Sequence, residues 1–266
     1  MKGRLIAIAL LLTTLIILGS VATTAPVLAV DRSVFLFVQH HLRVGWLDAV
    51  FLHLTLLGDA ALILTLLLWA ALFVRRPFVS DALVTLAITA VTVALLKHLF
   101  AHQRPPALVE GLRVLGPHLK NFSFPSGHTT TAVAVAWVLA TRFPSAALSV
   151  SVLATLVAFS RVYNGVHFPV DVVGGCLLGS AIGLAMTLVR PTLDRLRSQL
   201  HLRRDEPRGR SLHALLLLLI GLLLTWQAFK TKMVPDSWRW PLLVIGVASC
   251  LMAYQRSRPL LFRRPD

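Results

Sequence analysis

The stretch SDALVTLAITAVTVALLKHLFA, residues 80–101, decides the fold class. Its apolar residues fall all round a helical wheel, and it is long enough to cross a bilayer, which takes about 20 residues at 1.5 Å each. In lipid, length replaces periodicity as the helix signal, because every face is apolar. Similar runs lie near 5–27, 52–74, 128–142, 146–162, 170–189, 211–229 and 240–255, so eight membrane helices are expected. Composition agrees: 56% of residues are hydrophobic and 14% charged, and the mean hydropathy is +0.77. No long polar stretch leaves room for a separate soluble domain. The expectation is an all-α, polytopic membrane helical bundle with a six-helix core and two extra C-terminal helices.

The same reading divides the chain. Residues 1–30 begin Met1-Lys2-Gly3-Arg4 and continue LIAIALLLTTLIILG, the pattern of a signal peptide, with Val27-Leu28-Ala29 as a cleavage motif. The run stays apolar through SVATTAPVLAV, long enough to span, so an uncleaved signal anchor is expected. The core is expected over 31–190, a basic linker over 191–210, and the two further helices with a basic tail over 211–266.

Charge sets orientation. The formal net charge is +15. On a soluble chain that would suggest nucleic acid; on a membrane chain it marks loops facing anionic lipid, and no nucleic-acid partner is expected. With the N-terminus inside, the cytoplasmic segments hold 16 of the 26 Lys and Arg, seven of them Arg between 190 and 210. Ten remain outside, and Lys97 and Arg161 fall at helix ends, where charge beside lipid is costly and usually functional. The two cysteines, Cys176 and Cys250, lie inside apolar segments, so no disulfide is expected.

Three short segments then meet on the outer face. In KHLFAHQRP, 97–105, Lys97 and Arg104 are seven apart, so a continuous helix would project both from one side before Pro105 ends it. In PSGH, 125–128, Ser126 is a helix N-cap residue before the TTTAVAVAWVLA run. The free N–H groups of that helix start, with Gly127 allowing close approach, suit an anion, and His128 can hold or give a proton near neutral pH. In SRVYNGVHFPVD, 160–171, Arg161 ends one helix, Asn164-Gly165 turns, and Pro169 starts the next. His167 and Asp171 are four apart, so the carboxylate can hold one ring nitrogen and leave the other as a nucleophile. Between His128 and Arg161 the chain has room for two crossings, which return it to the same face. Each segment alone has a plain structural explanation; their convergence at one depth does not.

Taken together, Lys97-x6-Arg104-Pro105, Pro125-Ser126-Gly127-His128 and Ser160-Arg161-x5-His167-x3-Asp171 resemble the three-part signature of the type 2 phosphatidic acid phosphatase superfamily, over roughly residues 30–190. The resemblance implies a six-helix core that works without a metal or other cofactor. It implies a lipid phosphatase in which His167 is the nucleophile, Asp171 its partner and His128 the general acid. Lys97, Arg104, Ser126, Gly127 and Arg161 would hold phosphate. The substrate expected is an amphiphile such as a polyprenyl diphosphate, phosphatidylglycerol phosphate, phosphatidic acid or lipid A phosphate. A phosphotransferase with the same intermediate and a non-catalytic anion-binding protein or transporter are the alternatives; haloperoxidases share a related signature, but the many spans argue against one. His40-His41-Leu42, Asp59 and Glu110 are expected to be ordinary loop residues, and Asn121-Phe122-Ser123 matches a glycosylation sequon. The expected location is a bacterial inner membrane, with the site on its periplasmic or extracellular face. The sequence carries no signal of oligomeric state.

Overall fold

Helix α1 (Lys2–Val21) leads into α2 (Ala25–His41), α3 (Gly45–Leu54), α4 (Ala60–Phe73), α5 (Pro77–Phe100), the single turn α6 (Pro105–Leu108), α7 (Gly127–Arg142), α8 (Ala147–Tyr163) and α9 (Pro169–Gln199); α10 (Leu243–Met252) follows. The fold comes from a computed structural model and is described for residues 1–73, 77–117, 119–199, 240 and 243–252. No strand occurs among them. The all-helical expectation holds.

The count of spans differs from the expected eight. Among the described residues α1, α5, α8 and α9 are long and apolar enough to cross a membrane. Gly45–Gly58 and Ala60–Leu67 make a fifth only if counted together, and they are bent by 59° at Asp59. The expected span 128–142 is α7, which has only 16 residues. Its neighbours explain why: α7 packs against α5, α8 and α9, so protein rather than lipid surrounds it and neither full length nor a wholly apolar sequence is required. The expected span 211–229 lies outside the described residues, as does the rest of 240–255 beyond residue 240 and α10.

Two boundaries also move. The run read as 5–27 breaks at residues 22–24, where Thr24 is extended and Pro26 opens α2; a proline is tolerated in the first helical turn and not in the middle. The segment that follows, expected to lie outside the membrane, is therefore helical through His41. At the other end α9 continues through Pro191 to Gln199, so the first residues of the expected linker belong to it.

Glycines fix how α7 and α9 meet. A methyl built at Gly175 would lie 2.8 Å from the Ser126 carbonyl oxygen, one at Gly179 2.7 Å from that of Thr130, and one at Gly183 2.3 Å from the Trp137 Cβ. Small residues four apart let two helices approach backbone to backbone. The core beside this seam contains Leu15, Val93, Phe124, Ala134, Leu178 and Ile182, from α1, α5, the loop before α7, α7 and α9. At the end of the bundle away from the PSGH turn, Arg142 pairs with Asp81 at 2.7 Å and with Asp194 at 3.5 Å, and Arg190 approaches Asp81 at 3.4 Å. The α7–α9 register is thereby tied at both ends.

Candidate active site

The site is assembled at the starts of α7 and α9, brought side by side by that seam. Ser126 occupies the N-cap of α7 in an extended conformation, but no side chain caps the helix. Its Oγ accepts from Thr129 Oγ1 at 3.0 Å, and its backbone N–H donates to the Asp171 carbonyl at 2.9 Å. The first N–H groups of α7 are thus left without a capping side chain, next to Gly127. A methyl built at Gly127 would meet only Val93, at 3.5 Å, so protein packing does not demand glycine there.

His167 lies in the turn between α8 and α9, which Gly165 makes possible with φ +75°. Its Nδ1 is 3.2 Å from Asp171 Oδ2, and Arg104 Nη1 donates to its Nε2 at 3.0 Å. A guanidinium can only donate, so Nε2 carries the lone pair and Nδ1 the hydrogen that the carboxylate accepts. Asp171 Oδ2 also accepts from the Phe168 N–H at 2.9 Å and from the hydroxyl of Ser123, which is fully buried. Burial, and then the charges of Arg104, Lys97, Arg161 and His128, hold the His167 imidazole well below its ordinary pKa. It is a neutral ring with its free nitrogen turned to the cations.

The two cations of the first segment reach the site by a different route from the one expected. Helix α5 stops at Phe100, Ala101 adopts φ 50°, and Pro105 begins α6 instead of ending α5. Lys97 and Arg104 therefore do not lie on one continuous helix; Arg104 sits in the short break between α5 and α6. Lys97 Nζ donates to the carbonyls of Phe122 and, at 3.0 Å, Ser123. Arg104 donates to Asn121 O and Val166 O at 2.8 Å, to Asn121 Oδ1 at 2.8 Å and to Phe122 O at 3.2 Å. With His167, all five guanidinium hydrogens are engaged. Buried cations that bind carbonyls in this way order the 121–123 loop.

A cavity of about 550 Å³ opens over this arrangement, and Lys97, Arg104, Gly127, His128 and His167 all line it. Ser126 and Asp171 are buried behind its wall. Arg161 is buried too: it donates to Thr55 Oγ1, its Nε has no partner among the described residues, and it lines a small adjoining cavity of about 30 Å³ with His128 and Asp59. Asp59 corrects an expectation. It is no ordinary loop residue, since it lines the main cavity with Oδ2 3.8 Å from His128 Nε2. The helix break places it there: Asp59 Oδ1 accepts from the Leu62 N–H at 2.8 Å, capping α4, and Gly58 lies so close that a methyl would sit 2.7 Å from the His128 carbonyl oxygen. His40, His41, Leu42 and Glu110 are exposed and do not line that cavity. Ser123 and Asn121, read from the sequence only as part of a sequon, are bonded into the site; no spacing rule pointed to them.

Comparison with known proteins places this geometry. The sequence model of the PAP2 superfamily matches residues 78–195. Phosphatidylglycerophosphatase B of Bacillus subtilis is 32% identical over 163 residues, which are 52% of this chain and 72% of that protein. This chain belongs to the PAP2 superfamily. The solved transmembrane PAP2 type phosphatidylglycerolphosphate phosphatase from Bacillus subtilis superposes with a TM-score of 0.60 at 27% identity, covering 70% of this chain and 96% of that one. An undecaprenyl-diphosphatase of Sulfolobus acidocaldarius is 36% identical over 97 residues, 36% of this chain and 47% of the relative. The chain spans between 47% and 60% of the length of the first curated relatives it matches. With its long apolar helices and its likeness to a transmembrane phosphatase it is an integral membrane protein, and the match to the family's sequence model begins at α5, so α1 to α4 lie outside that match.

Proposed function

We propose that this protein hydrolyses a phosphomonoester or diphosphate carried by a membrane lipid, through a phosphohistidine intermediate. The observation that carries the proposal is His167, neutral, with Asp171 on one ring nitrogen and the other at Arg104 on the cavity wall. In the first step Nε2 attacks phosphorus in line, the P–O bond to the leaving group breaks, and His128 gives its proton to the leaving oxygen. Asp171 stabilises the imidazolium character that His167 gains. Lys97, Arg104, the first N–H groups of α7 and, from the adjoining cavity, Arg161 stabilise charge on the non-bridging oxygens; Ser126 sets the helix start from behind. In the second step His128 takes a proton from water, which attacks phosphorus and releases phosphate and free His167.

The substrate class follows from the setting. A cavity that gathers Lys97, Arg104, His128 and His167 beside apolar residues such as Ala90, Val93 and Ala94 of α5 takes an amphiphile whose headgroup stays wet. Relatives named undecaprenyl-diphosphatase and phosphatidylglycerophosphatase point to a polyprenyl diphosphate or a phosphatidylglycerophosphate or phosphatidic acid type. We place the protein in a bacterial inner membrane with its site on the outer face, and we read α1 as a retained anchor, since Leu15 and Gly19 are buried. We extend the core to the end of α9 at Gln199 and keep the basic linker to residue 210 and the C-terminal region 211–266 after it.

A panel of these lipids, radiolabelled at phosphorus, tests the proposal on purified protein in detergent. Release of free phosphate, with initial rates unchanged by a chelator, is expected. Label moved to an acceptor lipid would make the protein a phosphotransferase, and no turnover of any lipid would leave an anion-binding protein.

A further inference from the structure

Helix α2 lies outside the residues matched by the family, yet one of its faces grips the segment that carries His167. Asp31, Phe35 and Gln39 are spaced by four, so they stand in one row along the helix. Gln39 Nε2 donates to the Val162 carbonyl at 2.7 Å and to that of Tyr163 at 3.3 Å, at the end of α8. The Phe35 ring meets Phe168 edge to face at 5.2 Å. Asp31 Oδ1 accepts from the Val170 N–H at 2.8 Å. The three contacts thus fall before, beside and after His167.

The third contact has a particular consequence. Helix α9 begins with Pro169, which has no N–H, so Val170 supplies the first donor of the helix. The residue before the proline is Phe168, whose side chain cannot accept a hydrogen bond. The N-cap that the local sequence lacks is supplied by Asp31 from 139 residues away. Asp171 is the next residue, and its Oδ2 must stay in line with His167 Nδ1. Asp31 is itself buried, and among the described residues its Oδ2 has no hydrogen-bond partner. A carboxylate oxygen left in that state is costly, so general stabilisation does not account for an Asp at this position; setting the first turn of α9 does. Asp31 and Asp171 also line a common cavity of about 230 Å³ behind the dyad.

We propose that Asp31 is a positioning residue for the His167–Asp171 pair, acting by capping α9 at Val170 from a second helix. The proposal rests on the phosphohistidine reading above. In Asp31→Ala the first turn of α9 loses its acceptor, and Asp171 loses its fixed angle to the imidazole. The chemical step slows while phosphate binding, which depends on Lys97, Arg104 and the start of α7, stays. Asp31→Asn keeps an oxygen acceptor in place and rescues the enzyme.

The test measures kcat and KM of the full-length protein with the best lipid of the panel, and inhibition by inorganic vanadate as a probe of the phosphate site. Expected are a fall in kcat of about tenfold or more for Asp31→Ala, with KM and vanadate inhibition within about twofold of wild type, and near wild-type kcat for Asp31→Asn; tenfold is about 1.4 kcal/mol of barrier. A kcat within about twofold of wild type in Asp31→Ala, or an Asn variant as slow as the Ala variant, overturns the proposal. Should Asp31→Ala not fold, Val170→Pro removes the same bond from the donor side at a position where the chain elsewhere accepts two prolines, Pro105-Pro106 at the start of α6. It should reproduce the kcat loss, and normal turnover in it is equally fatal. An inactive wild type would instead remove the proposed function beneath.

Discussion

Arg104 Nη1 donates a hydrogen bond to His167 Nε2 at 3.0 Å, so the nitrogen assigned to attack phosphorus is covered by the cation assigned to hold phosphate. With every other guanidinium hydrogen bound to Asn121, Phe122 or Val166, the bond to His167 is the one a phosphate oxygen can take over without disturbing the loop. Substrate arrival would uncover its own nucleophile.

If so, His167→Ala loses essentially all turnover while its yield and helix content in detergent match wild type. A rapid acid-free quench of the wild type with labelled substrate should trap phosphate on protein that is lost in acid and kept in base. Turnover in the mutant near the wild-type rate would end the mechanism.

Gly127 separates packing from chemistry. A methyl there meets only Val93 at an ordinary distance, so Gly127→Ala should leave thermal stability unchanged or raise it by up to roughly 0.5–1 kcal/mol, because alanine restricts the unfolded chain. Gly127 also lines the cavity at the start of α7, where the added methyl would compete with phosphate for space, and turnover should fall by about tenfold or more. A variant of undiminished activity would show that phosphate does not approach this backbone.

The depressed His167 pKa has a stability consequence whose sign is fixed. The unfolded chain takes up a proton on this ring near its ordinary pKa of about 6.5, and the folded chain resists doing so. The contribution is therefore intact above about pH 6.5 and is lost as pH falls below it. Between about pH 7 and about pH 5 the wild-type Tm should drop more steeply than that of His167→Gln, whatever their absolute values. Parallel slopes would contradict a buried neutral imidazole.

Sidedness can be read with single cysteines in a background lacking Cys176 and Cys250. Ser123 lies in the loop before α7 but is buried against Asp171, so it is unsuitable. Glu110, near the site, and Ser145, beyond the far end of α7, are both exposed. A membrane-impermeant maleimide on whole cells should label position 110 and spare 145. The opposite pattern would put the catalytic face in the cytoplasm.

What could be seen in the sequence was whatever is local. His167 and Asp171 are four apart, and PSGH opens a helix whose first residue is Gly127; both relations lie within one turn of chain and needed no knowledge of packing. Lys97 and Arg104 line one cavity, but not from the continuous helix that was expected, because a positive φ at Ala101 leaves no mark in the letters. Asp31, Asp59, Ser123 and the Gly175–Gly179–Gly183 seam were out of reach, since each acts on a residue brought near only by folding. The length of α7 was legible, but not its surroundings: a helix with protein on all sides escapes the rule that lipid imposes.

That shortness bears on how the enzyme would meet its substrate. Sixteen residues make a rod of about 24 Å, against a hydrocarbon thickness of about 30 Å. If Arg142, tethered to Asp81 and Asp194, marks one face of the bilayer, the other end, where Gly127 and His128 sit, would fall short of the headgroup plane. A lipid then arrives by lateral diffusion and never leaves its leaflet. The concentration that governs turnover is the mole fraction of substrate in the surface, so diluting a mixed micelle with inert detergent would slow the enzyme, while diluting the same micelles with buffer would not.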